Sequence, residues 1–150
     1  MLGHVLDALT AAGIERKIAV LGHEAQLIEE WLPSEVEVVY QREQLGTGHA
    51  VLQAKELLKD ISGTVLVVCG DTPLLRASTL KKLLETHLDA KAKATILTAD
   101  IADPKGYGRI IRENNRVKAI VEEKDATIEE KAVTEINTGS YCFEAHFLRE

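Results

Sequence analysis

The stretch Thr64-Val65-Leu66-Val67-Val68-Cys69-Gly70-Asp71 decides the fold of this chain. Its first six residues are apolar or β-branched and lack the alternation of a half-exposed strand, and Gly70 with Asp71 ends the run. A run of this kind reads as a strand buried on both faces in a parallel sheet, so 64–69 is expected to be a central strand. Towards the amino terminus, His49–Leu58 reads as a helix, Val36–Tyr40 as a strand, and Glu24–Trp31 as a helix halted by Pro33, with Trp31 packing that helix against the sheet. Lys17–Leu21 is a short buried strand. Val5, Leu6, Leu9 and Ala12 recur at helical spacing before it, so the chain opens on an amphipathic helix that stops at Gly13. Towards the carboxyl terminus, Ser78 is expected to cap a helix to about Leu88, and Ala94–Ala99 is a further strand. From Gly108 a meander follows, with Arg109–Arg112 and Val117–Glu122 flanking a turn at Asn114 and Asn115, then a last strand near Ser140–Phe143. The alternation implies an α/β, Rossmann-like, doubly wound sheet with right-handed crossovers.

With 150 residues, 45% of them apolar, the chain suits one domain, 1–150, without repeat or linker. A formal net charge of −6 and no cluster of Lys and Arg exclude a nucleic-acid or anionic-membrane binder. Cys69 and Cys142 sit in apolar runs without CxxC spacing and read as reduced structural thiols. The histidines at 4, 23, 49, 87 and 146 show no zinc-ligand spacing and are read as surface or capping residues. No Gly-x-Ser-x-Gly elbow supports a hydrolase triad. The opening MLGHVLDALTAAG carries His and Asp among its apolar residues and no basic lead, so neither a signal peptide nor a membrane span is expected, and the chain is placed in the cytoplasm.

In open α/β sheets ligands bind beyond the carboxyl ends of the strands. Gln41-Arg42-Glu43-Gln44-Leu45-Gly46-Thr47-Gly48-His49-Ala50 leaves a strand and enters a helix. Gly46 and Gly48 clear the backbone for a ligand, Thr47 adds a hydroxyl, and Gln41 carries a donor and an acceptor that match a pyrimidine edge. A tight connection capped by Thr47 or Gly48 accounts for the same residues. At Asp71, a carboxylate at a strand tip suits Mg²⁺ shared with substrate phosphates, while an Asx-turn with Pro73 is the structural alternative. Asp103-Pro104-Lys105-Gly106-Tyr107-Gly108-Arg109 is either a hairpin-like turn or a ligand approach, and Glu122-Glu123-Lys124-Asp125 is by itself a solvated edge. In Glu135-Ile136-Asn137-Thr138-Gly139, Asn and Gly interrupt a β-rich segment and suggest a bulge or a backbone kept clear for a ligand.

Taken in order, QREQLGTGHA, CGDTPLL, DPKGYGRIIR, IVEEKDAT and EINTGSYCF resemble the uridylyltransferase domain of the bacterial bifunctional N-acetylglucosamine-1-phosphate uridylyltransferase and glucosamine-1-phosphate acetyltransferase family, over essentially the whole chain. The resemblance implies a cytoplasmic enzyme of cell-wall precursor synthesis that joins UTP and N-acetylglucosamine 1-phosphate into UDP-N-acetylglucosamine and pyrophosphate. By the same resemblance, Gln41, Gly46 and Thr47 hold the uracil, and Cys69, Gly70 and Asp71 line the nucleotide. Asp71 carries the catalytic Mg²⁺, and Gly108, Glu122 and Asn137 contact the N-acetylglucosamine. Family sequences often have Tyr where Cys69 stands, so only a backbone role carries over there.

The family also opens with a strand, an L-A-A-G-x-G-T-R-M loop and a P-K-V-L segment before the helix with which this chain begins. It continues into a later Asn ligand to Mg²⁺ and a left-handed β-helix acetyltransferase domain through which it forms trimers. The expectation is therefore a partial nucleotidyltransferase domain, truncated at its first strand, poorly active alone and open to self-association. Without that strand, 17–21 and 64–69 are expected to pair directly or to be bridged by another chain. A non-catalytic nucleotide-sugar-binding module and a nucleotidyltransferase for another sugar phosphate are the alternative functions.

Overall fold

The computed structural model describes residues 1–148. Helix α1, Leu2–Ala11, ends where Gly13 takes φ +89° and the amides of Gly13 and Ile14 return to the carbonyls of Thr10 and Leu9 at 3.0 Å each. These are the two bonds of a Schellman stop, and the positive φ is why glycine stands there. Strand β1, Lys17–Leu21, short helix α2, Ala25–Glu29, and strand β2, Val36–Tyr40, follow. β1 and β2 pair in parallel, from Lys17 opposite Val36 to Leu21 opposite Tyr40, as a sheet of their own. The helix expected at 49–58 starts earlier and breaks at Ala54 into α3, Thr47–Gln53, and α4, Lys55–Leu58.

β3, Thr64–Val67, is shorter than the expected strand and half-buried throughout. It pairs antiparallel with a much later strand and has no second strand partner among the described residues, so it is an edge strand rather than a central parallel one. β1 and β3 lie in different sheets, and their expected direct pairing does not form. The apolar run is accounted for by packing on both faces of an edge, since a strand's composition reports its faces and not its hydrogen-bonding edges.

Helix α5, Ala77–Asp89, turns Leu80, Leu83 and His87 inward at helical spacing. Its cap is Arg76, with no side-chain bond, and Ser78 lies within the first turn instead of capping it. His87 is buried, with Nδ1 2.9 Å from the Thr95 hydroxyl, so it belongs to the core and not to the surface. Trp31 is 55% exposed, because α2 stops at Glu29 before that residue can be turned onto the sheet.

Strand β4, Ala94–Asp100, precedes the hairpin of β5, Arg109–Glu113, and β6, Arg116–Val121, whose turn places Asn114 and Asn115 at φ 50° and 64°. After the short helix α6, Ile128–Lys131, capped reciprocally by Thr127 and Glu130, β7 runs from Glu135 to Glu144. β7 is the hub of the larger sheet, pairing antiparallel with β3, β4 and β5, and a 3₁₀ turn, Ala145–Leu148, follows it. The expected strand at 140–143 is only its second half.

Candidate functional site

The interruption in the sequence at Asn137-Thr138-Gly139 is a bulge. β4 pairs Leu97 with Ser140 and then Thr98 with Asn137, so Thr138 and Gly139 have no opposite number. Gly139 takes φ +75°, and a Cβ built on it would lie 2.8 Å from Cys69 Sγ. A kink in β7 is thus seated against the end of β3 by close approach of bare backbone to a thiol. The contact is completed by Cys69 Sγ donating to the Gly139 carbonyl at 3.6 Å.

The same bulge positions the sugar-side candidates named from the sequence. The Asn137 amide nitrogen of the backbone donates to the Gly108 carbonyl at 2.8 Å, and the side chain of Asn137 is held at both ends: Oδ1 accepts from the Gly139 amide at 3.0 Å, and Nδ2 donates to Tyr141 Oη at 2.6 Å. A Cβ on Gly108 would meet Glu122 Oε1 and Ile120 Cγ2, each at 3.2 Å, so the glycine lets the Glu122 carboxylate lie against the β5 entrance. Gly108, Glu122 and Asn137 therefore converge as expected. Behind them Arg109, 2% exposed, donates to Glu123 at 2.7 Å and to the carbonyls of Tyr107 and Lys131. Glu123 also accepts from the Gly106 amide at 3.3 Å, which ties the 103–108 turn to the end of β6. The charged tetrapeptide that reads as a solvated edge thus contains one ligand-facing candidate and one structural anchor.

At the end of β3, Thr72 Oγ1 donates to the Cys69 carbonyl at 2.8 Å and shapes the turn, while Gly70 lies under Leu2 of α1, whose Cδ1 is 3.2 Å from the position of a Cβ. Asp71 is exposed, and its carboxylate makes no hydrogen bond or ion pair among the described residues, so the Asx-turn alternative does not hold. Burial, and after it the Asp71 charge, pushes the Cys69 thiol up. Burial also pushes the Tyr141 phenol up, against the Asn137 hydrogen bond that lowers it, with Cys69 and Glu122 adding to the rise. These influences place Asp71, Cys69, Tyr141, Asn137 and Glu122 in one electrostatic neighbourhood. Tyr141 was not among the sequence candidates. A residue four further along an ordinary strand lies about 13 Å away, and only the bulge lets Tyr141 meet Asn137; the Asn-x-Gly interruption was the available signal.

The loop from Gln41 packs on the other sheet. The Gln41 amide donates to the Leu21 carbonyl at 2.7 Å and carries β2 one residue past its pairing, and Gln44 lies over Gly22, 3.2 Å from where a Cβ would stand. Gly46, at φ 99°, caps α3 without any side-chain bond, so neither Thr47 nor Gly48 is the cap. Gln41 Nε2 donates to the Gly46 carbonyl at 3.0 Å and lies 3.0 Å from His49 Nδ1, and Gln53 Nε2 lies 3.1 Å from His49 Nε2. The paired donor and acceptor expected of Gln41 is therefore reduced to its oxygen, since the nitrogen is engaged within the loop. The Thr47 hydroxyl is exposed and has no partner among the described residues. Gln41, Gly46 and Thr47 form one group at the ends of β1 and β2, and the other six candidates form a second around β7.

Among the described residues no three of His, Cys, Asp and Glu gather to hold a metal ion. Asp71 offers a single free carboxylate, which fits a Mg²⁺ that keeps waters and takes the rest of its oxygen ligands from phosphates. No helix among the described residues is long and apolar enough to cross a membrane. Cys142 is fully buried, its thiol pushed up to about 11 by burial, and neither cysteine is in a disulfide. We expect iodoacetamide at pH 8 to modify Cys69 first and Cys142 only on unfolding, as read by mass spectrometry of peptides, because the thiolate is the reactive form.

The chain matches the nucleotidyl transferase family over residues 1–150. It is 50% identical over 145 residues to the bifunctional protein GlmU of Halalkalibacterium halodurans, covering 96% of this chain and 32% of that protein. It is 51% identical over 151 aligned positions to GlmU of Listeria monocytogenes and 48% to that of Clostridioides difficile, in each case covering 100% of this chain and 33% of the relative. The chain thus spans about a third of the length of these curated relatives. Among solved structures, HddC from Yersinia pseudotuberculosis superposes with a TM-score of 0.73 at 25% identity, over 99% of this chain and 64% of that one. A UDP-glucose pyrophosphorylase complexed with UDP-glucose superposes at 0.73 with 18% identity, over 97% and 64% respectively, and shares the fold.

Proposed function

We propose, since this chain belongs to the nucleotidyl transferase family, that it forms part of a nucleotidyltransferase domain that transfers a uridylyl group from UTP to N-acetylglucosamine 1-phosphate. The observation that carries the reading is identity of about one half, over essentially the whole chain, to GlmU proteins. The convergence of Gly108, Glu122 and Asn137 on the bulge that also seats Cys69 supports it.

In this reaction an oxygen of the sugar phosphate attacks the α-phosphorus of UTP, a new P–O bond forms, the bond to the β-phosphate oxygen breaks, and pyrophosphate leaves with the electron pair. No protein nucleophile is needed, so the contribution of the chain is alignment and exclusion of competing geometries. Gln41 Oε1 accepts from the base, the backbone near Gly46 and Thr47 lies against it, and Cys69 and Gly70 line the nucleotide with their backbone. Glu122 accepts from sugar hydroxyls, Asn137 donates, and Gly108 leaves room for the pair. Asp71 would hold Mg²⁺, which when bound supplies positive charge to the phosphates. An enzyme with this activity would work in the cytoplasm as a trimer on cell-wall precursors.

The test is ligand binding. UDP-N-acetylglucosamine is expected to bind the chain more tightly than the corresponding adenine nucleotide sugar in calorimetric titrations, and to protect Cys69 from iodoacetamide. Equal binding of the two nucleotides together with unprotected Cys69 would rule the reading out.

A further inference from the structure

Asn137, Gly139 and Tyr141 form a short relay along β7 whose polarity is settled by one atom. The Gly139 amide can only donate, so the Asn137 atom that meets it at 3.0 Å is Oδ1. The nitrogen of that side chain is thereby turned to Tyr141, where Oη accepts from Nδ2 at 2.6 Å. Because Oη accepts in this bond, the phenol hydrogen is left over, and so is the second hydrogen of Asn137 Nδ2. Neither has an acceptor among the described residues. The ring of Tyr141 is half-buried and stacked on Phe143 with centroids 5.8 Å apart, which fixes where Oη can be. Burial holds the phenol above its ordinary value, so it remains protonated and a donor at neutral pH.

We propose that Tyr141 is a positioning and specificity-determining residue of the sugar seat: it locks the Asn137 amide by accepting from Nδ2 and turns its own hydroxyl hydrogen, as a donor, to the carbonyl oxygen of an acylated amino sugar. A carbonyl oxygen accepts and brings no proton of its own, so it satisfies the phenol donor. A sugar hydroxyl in the same place brings a proton of its own that needs an acceptor. Glu122, beside Gly108, supplies an acceptor for the neighbouring hydroxyls instead. The inference rests on the nucleotide-sugar reading above and names the group of the sugar that this end of the site reads.

The test compares the 150-residue chain with Tyr141→Phe, which keeps the ring and its stacking and removes only the hydroxyl. Titrated with UDP-N-acetylglucosamine, UDP-glucose and UDP, the variant is expected to lose about tenfold in affinity for the acetylated sugar nucleotide, the size of one well-made hydrogen bond, and to bind UDP-glucose and UDP as before. In ¹⁵N-resolved NMR the side-chain amide of Asn137 should shift with the substitution. Unchanged affinity for UDP-N-acetylglucosamine, or equal losses for all three ligands, would overturn the proposal, as would an unmoved Asn137 signal. A wild-type chain that binds none of the three would overturn the functional reading and the inference with it, whereas a wild-type chain that binds all three equally well would overturn the inference alone.

Discussion

Gly139→Ala should lower the unfolding free energy by about 2–4 kcal/mol, combining an L-residue in the left-handed region with a new atom forced into a packed contact. The position has φ +75°, and its Cβ would stand 2.8 Å from Cys69 Sγ, closer than two such atoms can remain. Cys69 Sγ can retreat only by giving up its bond to the Gly139 carbonyl or by shifting a backbone whose carbonyl Thr72 holds. The strain should therefore move the turn that carries Asp71 and loosen the Gly139 bond to Asn137, so affinity for UDP-N-acetylglucosamine should fall together with stability. Chemical denaturation of Gly139→Ala, Cys69→Ala and the double variant separates the two causes. Removing the sulfur should recover about 1–2 kcal/mol, the overpacking share, and leave the backbone share in place. Additive losses in the double variant would show that the thiol contact plays no part.

Arg109→Met should cost about 2–3 kcal/mol. The guanidinium is almost fully enclosed and meets the Glu123 carboxylate and the carbonyls of Tyr107 and Lys131, and two of these acceptors are backbone groups that a thioether cannot satisfy. Its Nε is buried without a partner, which already detracts from the arrangement, so the net loss is below that of a fully satisfied buried pair. The pH dependence gives a second readout. Arg109 holds the Glu123 carboxyl below its ordinary value, so the pairing stabilises the fold above the usual carboxylate range and is lost as pH falls through the lowered folded-state value. The wild type should consequently lose stability on acidification more steeply than Arg109→Met. Parallel acid profiles for the two proteins would show that the pair contributes nothing. Binding of the sugar should weaken in the variant as well, because Arg109 anchors the turn that presents Gly108 and the end of β6 that presents Glu122.

Both substitutions concern residues that local pattern ranks low. Arg109 reads as the first residue of a hairpin strand, and nothing in its neighbours announces a buried cation whose partner lies 14 positions away. Gly139 was legible as a bulge, since Asn and Gly have no other business in a β-rich run, but the atom that requires glycine there is 70 positions away. The glycine loop was legible as a connection from strand to helix, whereas the spending of the Gln41 nitrogen on Gly46 and His49 depends on how α3 starts.

The alternation of strands and helices as far as β4, the hairpin at Asn114-Asn115, the stop at Gly13 and the bulge near Gly139 were determined by the sequence alone, because each follows from the conformational preferences of residues close together in the chain. Recurring motifs did the same for the family. Only the tertiary structure decided that Thr64–Val67 is an edge strand, that β1 and β2 form a separate sheet, and that Tyr141 and Arg109 stand behind the candidate site. Hydrophobic pattern reports which faces of a strand are covered; it carries no record of which backbone lies along its edge, since N–H and C=O groups are the same in every residue but proline.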